Sequence, residues 1–182
     1  MSLSSIENPG LNMNKVIAEM ECVQVMKENN VSIPITSPIK TGDINRISSW
    51  YGKRVHPIIR RRRMHHGIDI SAEEGTYIVS TAKGNVYKVC RSRYGYGNRV
   101  IIQHEDGYQT LYAHMNNITV EEGDIVVRGS KLGTVGSTGL STGNHLHYEI
   151  IRNNKSIDPL SLYNGKKEDY LHSLKTFEDF YE

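Results

Sequence analysis

Five residues in three short segments have the types and spacing for metal-assisted hydrolysis: His65 and Asp69, the isolated His114, and the pair His145 and His147. Side chains alternate along an extended chain, so His145 and His147 look the same way, about 6.5 Å apart along a strand. By the same parity His65, Gly67 and Asp69 share a face. Ile68 and Ile70 then turn to the core, and His66 points away as a bystander. Zinc takes neutral imidazole nitrogen and carboxylate oxygen, and a catalytic site keeps three protein ligands and an open position. His65 and Asp69 can supply two ligands, and the third is either His145 or His147. The remaining imidazole and His114 are then free to hold the attacking water or the scissile carbonyl. No His-Glu-x-x-His helix offers a glutamate base. Proton transfer therefore falls to imidazole, whose ordinary pKa near 6.5 suits it.

Rigid strands must position these groups, and the composition predicts them. Thirteen of the 16 glycines lie between Gly52 and Gly143, and no proline occurs from Ile58 to Asp158, so turns are frequent while ladders run unbroken. Strands are expected at 68–70, 77–81, 85–90, 99–104, 108–113, 132–135 and 145–151. Asp106-Gly107 has the residues of a two-residue hairpin turn in which both central φ angles are positive. That turn folds 99–103 against 108–113 and delivers His114 to a strand end. The apolar spacing of Val16, Ile17, Met20, Val23 and Met26 predicts a short helix over 15–29. Asn29, Asn30, Pro34 and Pro38 read as a linker crossing the domain surface. After Gly165, Leu171, Leu174, Phe177 and Tyr181 predict a C-terminal amphipathic helix. The expected organisation is an extension over 1–46, a mainly β domain over 47–164 and the helix over 165–182.

At 182 residues the chain can build a core without disulfide or metal staples, and Cys22 and Cys90 read as ordinary small hydrophobes. A net charge of +2 gives no argument for nucleic acid. No apolar run reaches the roughly 18 residues of a membrane span. No export segment is legible at the start, where Met1–Ser5 can stand in place of one that has been removed. Arg60–Arg63 read as a solvated loop bordering a cleft that can admit an acidic polymer. Glu149 shares the face of His145 and His147. It reads as a solvated strand carboxylate, with support of a ligand as the alternative. His56, His104 and His172 read as structural or surface residues.

From about Ile47 to Leu160 the chain resembles the lysostaphin-type (LytM-like) zinc metalloendopeptidases. The likeness rests on Tyr51-Gly52-Lys53-Arg54-Val55-His56-Pro57, Met64-His65-His66-Gly67-Ile68-Asp69-Ile70, Gly95-Tyr96-Gly97-Asn98-Arg99-Val100, Thr110-Leu111-Tyr112-Ala113-His114-Met115 and the stretch 136–149 ending in His145-Leu146-His147-Tyr148-Glu149. The four arginines at 60–63 depart from the small or mixed residues often found there. The resemblance implies a mostly antiparallel, barrel- or sandwich-like β fold with a groove over one Zn2+. It implies His65, Asp69 and His147 as ligands and His114 and His145 as catalytic groups that do not bind the metal. It also implies hydrolysis of stem or cross-bridge peptides of bacterial peptidoglycan, and hence a place in the cell envelope. Asn98, Tyr112, Ser141, Thr142 and Asn144, all within the matched segments, are expected to touch the substrate.

Three rival readings are weaker. Gly139-Leu140-Ser141-Thr142-Gly143 fits the G-x-S-x-G pattern, but that elbow needs a helix after it, and a strand is expected. Residues 122–133 are similar to a biotinyl- or lipoyl-carrier hairpin, without the residues that flank a modified lysine at Lys131. A silent or autoinhibited wall-binding module, its groove covered by the segment before Ile47, is set against the presence of all five site residues.

Overall fold

The structure, a computed structural model, describes residues 32–55 and 60–163. The helices expected over 15–29 and after Gly165 lie outside them, as do His56 and His172. The described chain is mainly β: β1 (Arg46–Ser49), β2 (Gly52–Val55), β3 (Arg62–His65), β4 (Ile68–Ser71), β5 (Tyr77–Val79), β6 (Gly84–Cys90), β7 (Arg99–Gln103), β8 (Tyr108–Ala113), β9 (Ile125–Val126), β10 (Lys131–Thr134), β11 (His145–Arg152) and β12 (Lys155–Ile157). Every pairing is antiparallel. Eight strands form one open sheet in the order β1-β4-β11-β8-β7-β6-β9, with β12 folded back on β11, while β10–β5 and β2–β3 make two small ribbons. All seven expected strands are present. The sequence reading missed β1, β2, β3, β9 and β12.

Register explains why one sheet carries both core and site. Ile68, Tyr148, Tyr112 and Val100 lie abreast on β4, β11, β8 and β7, and all four are buried in the core. Fully burying an aliphatic or aromatic side chain contributes about 1.5–3 kcal/mol, so this row and its neighbours Ile70, Leu146 and Ile150 fix the register. The next row, Asp69, His147 and Ala113, faces the other way. A slip of one residue would exchange the two rows.

Tyr112 therefore corrects the expectation that it touches the substrate. Its parity is that of the core, its side chain is 0% exposed, and its hydroxyl accepts from the Thr81 backbone N–H at 3.1 Å. Thr81 Oγ1 also joins the Tyr148 hydroxyl at 2.9 Å, so the two buried phenols are satisfied where the rings meet.

Asp106 and Gly107 have φ of 53° and 73°, and the Tyr108 N–H bonds to the Glu105 carbonyl at 3.1 Å, as the expected turn requires. The part of the expected surface linker that the structure describes, through Pro34 and Pro38, is instead buried. Ile39 is in the core, the Pro38 carbonyl accepts from Val79 N–H at 2.9 Å, and Thr36 Oγ1 bonds the Thr81 carbonyl. Arg62 and Arg63, expected in a loop, form β3 against β2, with Arg63 opposite Arg54. Lys131 does not crown a carrier hairpin, since its ammonium sits 3.5 Å above the Tyr77 ring.

Two stability predictions follow from these placements. A Cβ on Gly67 would land on the Tyr148 backbone carbonyl, which β11 cannot yield without breaking register. Gly67→Ala is expected to cost about 1–3 kcal/mol, read as a lowered thermal midpoint. His104 is buried, with Nδ1 2.7 Å from the Lys83 carbonyl and Nε2 2.8 Å from Thr110 Oγ1, and burial pushes its pKa below the ordinary value. The unfolded chain then binds the proton first. The stabilisation is complete above about pH 6.5 and is lost as pH falls toward the folded-state value. The urea midpoint should fall across that window by more in the wild type than in His104→Gln.

Candidate active site

Register alone puts His147 and Asp69 together, because they are direct cross-strand partners on β11 and β4. His65 arrives differently. It ends β3 in the separate β2–β3 ribbon, and the chain bends at His66-Gly67 before entering β4. The shared face expected for His65, Gly67 and Asp69 in one extended segment is thus replaced by a fold of one ribbon onto the sheet. The outcome for the ligands is the same: His65 Nε2 lies 3.1 Å from Asp69 Oδ1 and 3.1 Å from His147 Nδ1, and His147 Nδ1 lies 2.8 Å from Asp69 Oδ1. All three residues are buried.

The other polar atoms of this triad are already engaged, which fixes the direction of each lone pair. His65 Nδ1 donates to the Trp50 carbonyl at 2.8 Å, leaving Nε2 as the inward atom. His147 Nε2 donates to Glu149 Oε1 at 2.9 Å, leaving Nδ1 inward. Asp69 Oδ2 accepts from the Arg54 guanidinium at 3.1 Å, leaving Oδ1. Three donor atoms at mutual separations of 2.8–3.1 Å come close to the spacing of about 3.3 Å for ligands placed tetrahedrally at 2.0–2.1 Å from zinc. Two imidazole nitrogens facing each other beside a carboxylate oxygen also need a positive charge between them, either a shared proton or a cation. The residues present fit a zinc ion.

The electrostatics agree. Burial opposes ionisation of Asp69, yet its close contacts with His147 and His65 outweigh it and hold its carboxyl well below the usual carboxylate range. Burial likewise opposes charge on His147, and its bonds to Asp69 and Glu149 outweigh it and raise the pKa. Glu149 is 4% exposed, which corrects its reading as a solvated carboxylate. Burial raises its pKa, but His147 and the Tyr96 hydroxyl, which donates to Oε1 at 2.5 Å, outweigh that and lower it. The Tyr96 ring also lies 5.3 Å from the His147 ring.

His114 and His145 stand beside the triad, their ring centroids 4.8 Å apart. His114 ends β8 in the left-handed region, φ 61°, a strained conformation of a kind that clusters at functional sites. Its Nδ1 donates to the Thr138 carbonyl at 2.7 Å. Burial, then the charges of His145 and His147, push its pKa down to about 4. His114 is therefore neutral at pH 7 with Nε2 unprotonated. His145 Nδ1 donates to the Gly143 carbonyl at 2.8 Å, and its Nε2 lies 3.8 Å from Asp69 Oδ1.

All five residues line one open cavity of about 430 Å3, together with Ser141, Thr142, Leu140, Tyr96, Arg54 and Arg63. Ser141 and Thr142, expected to touch the substrate, line the same cavity as the histidines. Asn98 does not line it. Its side chain accepts from Ser92 N–H at 3.1 Å and donates to the Asn116 carbonyl at 3.3 Å, bracing a loop. Asn144 is exposed and outside the lining. His66 bonds Ser156 Oγ at 2.8 Å and also lines the cavity, which corrects the expectation that it points away from the site. Arg54, Tyr96 and the Trp50 carbonyl were missed from the sequence. The signal available for Arg54 and Tyr96 was their place in the Tyr51–Pro57 and Gly95–Val100 segments. β11 follows Gly143, so the helix that a serine-hydrolase elbow requires is not there.

The model of peptidase family M23 matches residues 63–159. The chain is similar to the DD-carboxypeptidase/endopeptidase Mpg of Neisseria meningitidis, 47% identical over 64% of this chain and 27% of the relative. It is also similar to the murein hydrolase activator NlpD of Salmonella dublin, 37% identical over 71% of this chain and 38% of the relative. Among solved structures it is similar to a zinc-containing peptidase from Vibrio cholerae, with TM-score 0.63 and 35% identity over 68% of this chain and 38% of that one. The chain spans about a quarter to two fifths of the length of the curated relatives it matches here. No helix among the described residues is long and apolar enough to cross a membrane.

Proposed function

The chain belongs to peptidase family M23, and from that premise we propose that it is a zinc-dependent endopeptidase cutting peptide bonds in bacterial peptidoglycan, in the periplasm or outside the cell. One observation carries the reading. His65 Nε2, Asp69 Oδ1 and His147 Nδ1 meet within 3.1 Å with every other polar atom of the three engaged, beside two imidazoles that do not belong to the set. Zinc held there supplies Lewis acidity toward a carbonyl oxygen and lowers the pKa of a coordinated water to about 7.

The residues of the chain do the rest. His65, Asp69 and His147 bind the ion, and Arg54 and Glu149 orient two of them. Fixed by the Thr138 and Gly143 carbonyls, His114 and His145 turn Nε2 to the cavity. There they take the proton of the attacking water, return it to the leaving amine, and donate to the oxyanion as the carbonyl becomes tetrahedral. Ser141 and Thr142 line the path of the peptide.

The test is digestion of purified wall fragments by the zinc-loaded chain, read by mass spectrometry. New amine and carboxyl ends from a cut peptide bond are expected. The NlpD relative motivates the second reading, that of an activator. A zinc-loaded chain that cuts nothing yet accelerates a separate wall hydrolase would establish that reading and end the first. Support of the ligands makes a further prediction: Glu149→Gln should weaken zinc binding about 10- to 100-fold, measured by competition with a chromophoric chelator. Tyr96→Phe should act in the same direction through Glu149.

A further inference from the structure

We propose that a second cavity, formed by Arg91, Ser92, Arg93, Asn98, Thr138 and Gly139, binds a phosphate ester of a polyol or sugar. The site stands apart from the hydrolase reading and does not rest on it.

This cavity has a volume of about 440 Å3, within the range of about 300–1,000 Å3 usual for small-molecule sites. It shares no lining residue with the cavity of the histidine cluster. Two segments distant in the chain build it, the loop between β6 and β7 and the loop after β10, and they are fastened together. The Asn98 N–H donates to Thr138 Oγ1 at 3.0 Å, and Asn98 Oδ1 accepts from the Ser92 N–H at 3.1 Å. The Leu140 N–H bonds to the Gly95 carbonyl at 2.7 Å. A Cβ on Gly97 would land on the Thr138 carbonyl, so the two segments meet backbone to backbone. A cavity braced in this way loses little freedom when a ligand enters it.

The charge of the cavity has one sign. Arg91 and Arg93 are the only ionisable residues that line it, and neither has a hydrogen bond or ion pair among the described residues. Each guanidinium presents a planar fork of donors that matches phosphate oxygens. A carboxylate has two oxygens and fills one fork, whereas a phosphate has oxygens for both. The rest of the lining is polar and neutral, which suits the hydroxyls of a polyol. Ser92 and Thr138 bring hydroxyl oxygens, and Asn98 Nδ2, which spends one hydrogen on the Asn116 carbonyl, keeps a second.

The experiment titrates the full chain, loaded with zinc, and follows its backbone amide resonances. The probes are glycerol 3-phosphate and the diester glycerophosphoglycerol, with glycerol and glycerate as controls. Saturable shifts at Ser92, Arg93 and Gly139 are expected with the two phosphates, weaker binding with glycerate, and none with glycerol. Arg91 and Arg93 are both exposed, so their variants should fold. Arg91→Gln and Arg93→Gln should each weaken binding about 10-fold, the low end for a hydrogen bond to a charged group because solvent screens both. Arg62→Gln on β3 should leave the Kd unchanged. Tighter binding of the monoester assigns the site to a free or terminal phosphate, and tighter binding of the diester to a phosphate within a chain. The inference is overturned if neither phosphate saturates, if the Kd survives both arginine substitutions, or if glycerate binds as tightly. Shifts confined to Gly95, Ser141 and Thr142 overturn it as well, since they place the ligand among the histidines. None of these results alters the hydrolase reading.

Discussion

Asp69→Ala, His65→Ala and His147→Ala should each strip the chain of stoichiometric zinc and, with it, of all wall hydrolysis. The triad is built so that no atom can be replaced from nearby. The Asp69 carboxylate divides its oxygens between the ligand cluster and Arg54, and each imidazole has one nitrogen committed to Trp50 or Glu149. Apparent zinc affinities of ~10–16 kcal/mol spread over four protein ligands imply about 2.5–4 kcal/mol for each, or a weakening of roughly 70- to 900-fold per ligand removed. Metal content after dialysis against trace zinc reads this directly. Retention of one zinc per chain by any of the three variants would remove that residue from the ligand set.

His114→Ala and His145→Ala should do the opposite: keep zinc and lose turnover. Neither imidazole belongs to the close triad, and each is held by a backbone carbonyl on the side away from the cavity. Removing one oxyanion donor commonly costs about 100- to 1,000-fold in kcat, and removing the proton carrier adds to that. Single-turnover rates on a wall peptide, with zinc measured on the same samples, separate the two classes of variant. Loss of zinc in His114→Ala or His145→Ala would show the division between ligand and catalytic group to be misplaced.

Much of this was legible in the sequence because it depends on local parity. Val100 and Ile102 alternate with Arg99, Ile101 and Gln103, and β7 follows. Asp106-Gly107 accepts positive φ at both positions, and the hairpin follows. His145 and His147 could be paired on one face from spacing alone. What escaped depends on contacts distant in the chain. Arg62 and Arg63 read as loop because four consecutive arginines have no hydrophobic alternation. They become strand by pairing with β2 rather than by burial, since both are exposed. Glu149 read as solvated because a carboxylate two residues past His147 is ordinary on an exposed strand face. That face is closed over by Tyr96, 53 positions away in sequence. Tyr112 was misplaced by its nearness to His114. The left-handed turn at His114 breaks the alternation, so neighbours in sequence serve opposite sides of the sheet.

Zinc K-edge X-ray absorption of the chain, purified without chelators and loaded with one equivalent, tests the central claim most directly. Light donors at about 2.0–2.1 Å with the scattering signature of two imidazoles are expected. A chain that takes up no zinc, or an absorber bonded to sulfur at about 2.3 Å, would contradict it.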